Sequence, residues 1–183
     1  VRNLVLMSSI LSVKGDKRLA MNFAQVAVQK SPSHPEALLA YVQALSMNGS
    51  LAQAMKEIET YEGKQPLTRE LFLEKAMLTY KLYGAETAMP MFDRHCHDYP
   101  DDIEAISWLA RTQIEQGDRN GAEKSALRAL QMNPNQPDLN IMVGRLERQI
   151  GNLDKSIEFL NQAIRLESEN IEAYLELGLT YQA

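Results

Sequence analysis

The stretch from Ile103 to Pro134, IEAISWLARTQIEQGDRNGAEKSALRALQMNP, shows the pattern on which the whole chain is built. In its first half Ile106, Leu109, Ala110 and Gln113 recur at steps of three and four residues, which places them on one side of a helix from Ile103 to Gln116. Gly117 follows, and glycine tolerates the left-handed backbone that closes a helix. Asp118 can then accept hydrogen bonds from the free amides of the next helix. That second helix turns Ala122, Ala126, Ala129 and Leu130 inward. It stops at Met132-Asn133-Pro134, because proline disfavours helical geometry in the residue before it. The stretch therefore reads as two helices joined by a tight turn.

The same unit recurs on either side. Pro32, Pro66, Pro100 and Pro134 are 34 residues apart, and Ala20, Ala54, Ala88, Ala122 and Ser156 keep the same step. Gly15, Gly49, Gly117 and Gly151 are in register as well, with Gly84 one place late. A fixed period without insertion means one structural unit used repeatedly. A single helix pair cannot bury its apolar face, so neighbouring units must stack into an all-α solenoid.

Bulk composition fits that architecture and removes several functions. The chain has 183 residues, 45% of them hydrophobic, and a formal net charge of -5. Affinity for nucleic acid requires clustered positive charge, so no nucleic-acid role is expected. The single cysteine, Cys96, excludes an intrachain disulfide framework and leaves the redox compartment open. No apolar run reaches the roughly 18 residues of a membrane-spanning helix, so no direct membrane insertion is expected. Val1 to Val13 is apolar in the manner of a signal peptide, but it lies in register with the later units and reads as a helix. A chain that starts inside one unit and stops inside another looks like a piece of a longer protein. The compartment of this soluble chain, cytoplasmic or periplasmic, stays open.

With these residues in place, the chain resembles the tetratricopeptide repeat (TPR) family of 34-residue helix-turn-helix units. The partial last unit carries Tyr174, Leu177, Gly178 and Tyr181 at family spacing. Leu38, Tyr41, Gly49, Ala54, Ile58 and Pro66 match in one unit, and Phe72, Ala76, Ala88, Phe92 and Pro100 in the next. Leu109, Ala110, Ala122, Ala129 and Pro134 follow, then Val143, Gly144, Ser156, Leu160 and Ala163, with Ser168 in place of proline. The first unit is weaker at its start, although Ala20, Ala24, Ala27 and Pro32 fit. The resemblance implies a right-handed superhelix and a single array over 1–183. Its units are 1–34, 35–68, 69–102, 103–136 and 137–170, with a partial unit at 171–183. The unbroken register is similar to that of bacterial members.

Some residues depart from the pattern. Tyr61 and His95 stand where alanine is usual, so packing there must loosen or rearrange. Trp108 lies two places after the usual aromatic. Pro90 falls near the first turn of its helix, where proline costs least, and Gly121 is also early in a helix.

Chemistry is sparse. Asp93-Arg94-His95-Cys96-His97-Asp98 contains metal-ligand types, but adjacent residues on a helix point about 100° apart and cannot converge on one ion. A buried or half-buried His95 and Cys96 beside a solvated His97 is the expected reading. There is no glycine-rich phosphate loop, no Cys-x-x-Cys and no His-Glu-x-x-His. Glu36, Glu70, Glu104, Asp138 and Glu172, each second in a first helix, complement the partial positive charge of a helix start. No enzyme activity and no cofactor are expected within this segment.

Binding is the expected function, and the resemblance indicates where. In the family the first helices line a concave groove. Carrying its groove places onto this chain gives Leu39, Gln43 and Met47, then Leu73, Met77 and Tyr80, then Arg111, and finally Arg145 and Arg148. Trp108 is expected to lean into the same groove. Methionines suit an adaptable apolar surface, and Trp, Tyr and Arg are enriched where binding energy concentrates. Arg111 and Arg145 hold equivalent places one unit apart and could clamp an acidic group. The lysine and asparagine clamp of the chaperone-tail-binding members is absent. The leading expectation is a non-catalytic protein–protein interaction scaffold holding an extended peptide or a partner helix. Alternatives are a recruiting domain of a larger enzyme or bacterial polysaccharide-export assembly, and self-association as a homodimer through the partial C-terminal repeat.

Overall fold

The computed structural model describes residues 1–183 and contains eleven α-helices. In chain order these are α1 (Arg2–Val13), α2 (Lys17–Lys30), α3 (Pro35–Met47), α4 (Leu51–Glu62), α5 (Arg69–Tyr83), α6 (Ala85–Asp98), α7 (Ile103–Glu115), α8 (Arg119–Met132), α9 (Pro137–Gln149), α10 (Leu153–Leu166) and α11 (Ile171–Gln182). The odd-numbered helices are the first members of the repeat units and the even-numbered ones the second. The chain divides into two compact units, Val1–Met91 and Phe92–Ala183, with the boundary inside α6.

In the N-terminal unit α1 pairs with α2 and α3 with α4, and α2 and α4 each bridge to the following first helix. The first helices α1, α3 and α5 also pack side by side. In the C-terminal unit α7 pairs with α8 and α9 with α10, while α10 and α9 both pack on α11. This is the arrangement of an α-solenoid: each helix pair covers the apolar face of its neighbour.

The residues explain the geometry. Gly117 sits at φ +80°, a left-handed backbone in which a Cβ would be strained. Immediately beyond it, Asp118 accepts the amide of Gly121 at 2.9 Å and starts α8. The small residues expected on the second helices are fully buried: Ala20, Ala24 and Ala27 in α2, Ala122, Ala126 and Ala129 in α8, and Ser156 and Ala163 in α10. Val1 to Val13, apart from its first residue, forms the helix α1.

Three departures from the pattern take physical form. The late glycine, Gly84 at φ +87°, lets α5 run on to Tyr83 and leaves a one-residue turn before α6. Because α6 starts at Ala85, Pro90 is its sixth residue, deeper than the first turn expected from the sequence. Proline has no amide to give the Glu86 carbonyl, so α6 lacks one bond of its ladder. Tyr61 joins the buried core of the N-terminal unit with Ile58 and Met55. Beside it, between the ends of α2 and α4, opens a shallow cleft of about 310 Å³.

Candidate partner-binding site

Clefts on this molecule form chiefly between first helices. In the N-terminal unit a cleft of about 340 Å³ lies among α1, α3 and α5. Its walls are Ser8, Ser9, Ser12 and Val13, then Ala40, Gln43, Ser46 and Met47, then Glu74, Met77 and Lys81. The Gln43 amide donates to Glu74 at 3.4 Å, and Lys81 Nζ donates to Ser46 Oγ at 3.1 Å. Gln43, Met47 and Met77 of the expected groove set thus come together here. Leu39, Leu73 and Tyr80 do not line this cleft. Leu39 packs against the apolar core, Leu73 is buried, and Tyr80 is half-buried.

In the C-terminal unit two adjoining clefts run between α7 and α9. The larger, about 490 Å³, is lined by Ile103, Glu104, Ser107, Trp108 and Arg111 of α7, and by Gln136, Asp138, Leu139 and Met142 at the start of α9. The second, about 340 Å³, continues past Arg111, Ile114, Glu115, Asp138, Ile141 and Met142 to Arg145 and Glu172. Trp108 and Arg111 of the expected set face the first cleft, and Arg111 and Arg145 face the second.

Trp108 is held in a fixed orientation. Phe92 stacks on it with ring centroids 5.8 Å apart and planes 6° from parallel, and the Arg111 guanidinium sits 5.4 Å from the ring centre. The indole is therefore a rigid wall of the cleft.

Electrostatics separates the three arginines. Arg145 Nε donates to Glu176 Oε1 at 2.8 Å and its Nη2 to Glu172 Oε1 at 2.6 Å. Arg148 Nη2 donates to the other oxygen of Glu176, also at 2.8 Å. Burial works against the charge of Arg145, but the hydrogen bonds and charges of Glu172 and Glu176 outweigh it and raise its pKa. Arg111 has no such carboxylate pair. Glu104, at the mouth of the larger cleft, has its pKa raised by burial and then by the neighbouring Asp102 carboxylate.

Glu172 and Glu176, which hold Arg145 and Arg148, lie outside the groove set expected from the sequence, as do Leu139 and Met142 of the larger cleft. A signal existed in the register. Place 9 of one unit reaches place 6 of the next, as Gln43 reaches Glu74 and Arg145 reaches Glu176, both 31 residues on. For Arg111 the same step lands on Met142, which is apolar.

The string at the end of α6 is structural. His95 is buried, and its Nε2 lies 2.8 Å from the carboxylate of Asp102, which also caps α7 through the Ala105 amide. Cys96 is buried too, and burial pushes its thiol up to about 11, far from a reactive thiolate. His97 is exposed. His95 thus replaces the usual alanine by tying α6 to the start of α7.

Comparison with known proteins agrees with the repeat fold. A tetratricopeptide repeat model matches residues 103–136 and a TPR repeat model matches residues 144–183. No curated protein sequence matches the chain. Among solved structures, the chain is similar to TTC0263, a thermophilic TPR protein of Thermus thermophilus. The TM-score is 0.81 at 17% identity, over 100% of this chain and 99% of that one. It is also similar to YrrB, described as a TPR protein with an unusual peptide-binding site, with TM-score 0.66 and 18% identity over 94% and 89% of the two chains. A chain of the APC/C hetero-tetramer Cut9–Hcn1 superposes with TM-score 0.86 at 16% identity, over 98% of this chain and 36% of that one.

Proposed function

We propose that this chain is a protein–protein interaction scaffold of tetratricopeptide repeats that holds an extended peptide or a partner helix against the first helices. In this reading the contact surface is α1, α3 and α5 in the N-terminal unit, and α7 and α9 in the C-terminal one. One observation carries it: three clefts of about 340 to 490 Å³ take their walls almost entirely from first helices. Their linings mix flexible apolar side chains (Met47, Met77, Met142) with a fixed aromatic and a few charges, which is the composition of an orienting binding surface. The peptide-binding site of YrrB, a structural neighbour, is in keeping with this reading. No helix is long and apolar enough to cross a membrane.

The test is a random-peptide display library panned on the whole chain. Recovered peptides are then titrated against Met47→Glu, Met142→Glu and, as an outer control, Lys124→Glu on α8. A carboxylate placed in either cleft is expected to weaken its peptides about tenfold or more, while the control binds as wild type. Loss confined to the α8 variant would overturn the assignment.

A second reading, pairing of two copies, rests on α11, where Ile171, Leu175 and Tyr181 are 83%, 62% and 68% exposed. Light scattering checks it: the pair requires a mass that rises with concentration, and a constant monomer mass removes the idea.

A further inference from the structure

The charge around the α7–α9 clefts indicates which peptide they would accept. Arg111 and Arg145 are the only cations lining them, against the four carboxylates of Glu104, Glu115, Asp138 and Glu172. The guanidinium of Arg145 is already occupied by Glu172 and Glu176, and Arg148 serves the same Glu176. The equivalent place to Glu172 in the preceding unit is Asp138, and the equivalent to Glu176 is Met142. Hence the arrangement that neutralises Arg145 is not repeated one unit earlier. Glu104 and Asp138 both line the larger cleft without an ion pair, beside an apolar floor.

That floor matters as much as the charge. Trp108, Leu139 and Met142 provide apolar area beside the two carboxylates. A bare metal ion would leave this area unused, whereas a long cationic side chain lays its methylenes along apolar surface and its charge at the acidic rim. A carboxylate ligand would find Arg145 taken, and in the larger cleft the single cation Arg111 is outnumbered by the carboxylates of Glu104 and Asp138.

We propose that the α7–α9 cleft takes a lysine or arginine side chain of an extended peptide, with an apolar neighbour of that residue seated on Met142 and Leu139. This rests on the reading of the first-helix face as the partner surface, and it specifies the partner as basic.

Trp108 is the only tryptophan, so its fluorescence reports this cleft alone. The experiment titrates the whole chain with three heptapeptides of one scaffold, each with two lysines, two glutamines or two glutamates around a central leucine. The lysine peptide is expected to shift the emission and to bind about tenfold tighter than the glutamate peptide. Raising salt from about 50 to about 300 mM should weaken it severalfold by screening. The double variant Glu104→Gln with Asp138→Asn should lose about fivefold for the lysine peptide and nothing for the glutamine one. Arg111→Gln, a change in the opposite sense, should tighten the lysine peptide, so the test does not depend on one variant folding.

Equal or tighter binding of the glutamate peptide would overturn the proposal, as would an unchanged lysine affinity in the double variant. If only the glutamine peptide bound, with a Trp108 shift, the cation would be wrong and the first-helix reading would survive. If no peptide shifted Trp108 and library peptides mapped to α8 or α10, both would fail. Emission that moved with protein concentration alone would show a second copy in the cleft and would also overturn it.

Discussion

Gly144 lies where α9 crosses α10, and a methyl group there would meet Leu160 Cγ at 2.7 Å and the Ser156 carbonyl at 3.3 Å. Leu160 is fully buried and cannot swing away. Alanine would gain about 1 kcal/mol of helix propensity, but overpacking costs about 1 to 3 kcal/mol. Gly144→Ala should therefore lower stability by about 1 kcal/mol, read as a shift in the denaturant midpoint; an increase would mean that α9 and α10 are not this close. Glu104 gives a pH prediction. Its folded pKa is raised above the ordinary 4.5, by burial first and Asp102 second. A raised carboxyl pKa favours folding below 4.5, and that contribution is lost as the pH rises through the folded value. Glu104→Gln should accordingly melt higher than wild type at pH 7, with the gap closing below pH 4.5. A gap that widened in acid would contradict the sign. Gly144 was legible in the sequence because its repeat place requires a small residue. Glu176 was legible only through the repeat register, because its importance comes from two arginines 28 and 31 residues away.

Caps and turns decide where each element starts. Asp118, Asp16 and Thr68 each accept an amide three residues on, a local bond that needs no tertiary context. Such positions could be read directly from the chain. Asp118→Ala should lose about 0.5 to 2 kcal/mol by leaving the Gly121 amide without its acceptor, measured by chemical denaturation. Gly121 also leaves room for that cap, since an added Cβ would fall 2.1 Å from the Asp118 carboxylate. The α5–α6 junction was harder to read. The one-place delay of Gly84 was visible, but its outcome was a longer α5 and a proline one turn deeper in α6. That outcome depends on which residue ends α5, and only the folded backbone supplies it. Gly84→Ala, at φ 87° and ψ 178°, should cost about 1 to 3 kcal/mol, because this extended positive-φ backbone is essentially restricted to glycine.

At the scale of the whole chain the 34-residue step specified the glycine turns and the buried alanines. It did not distinguish groove places that face a cleft from those that pack. Met47 and Met77 line an opening while Leu73 is buried, although all came from the same rule. The period repeats backbone places, whereas burial at each place depends on the volumes of the side chains packed around it. Stability should vary along the chain in the same way. Helix α1 buries only Ser8, whereas α3 buries seven residues, so α1 amides should exchange with solvent well before those of α3. Similar protection in the two helices would show that α1 is held by more than its visible packing.

If partners meet the first helices, amide NMR spectra of the labelled chain, recorded while a library-selected basic peptide is added, will show it. The moving resonances should belong to α7 and α9, with Trp108, Arg111 and Met142 shifting most. Shifts concentrated on the outer faces of α8 and α10, with those three residues unmoved, would contradict it.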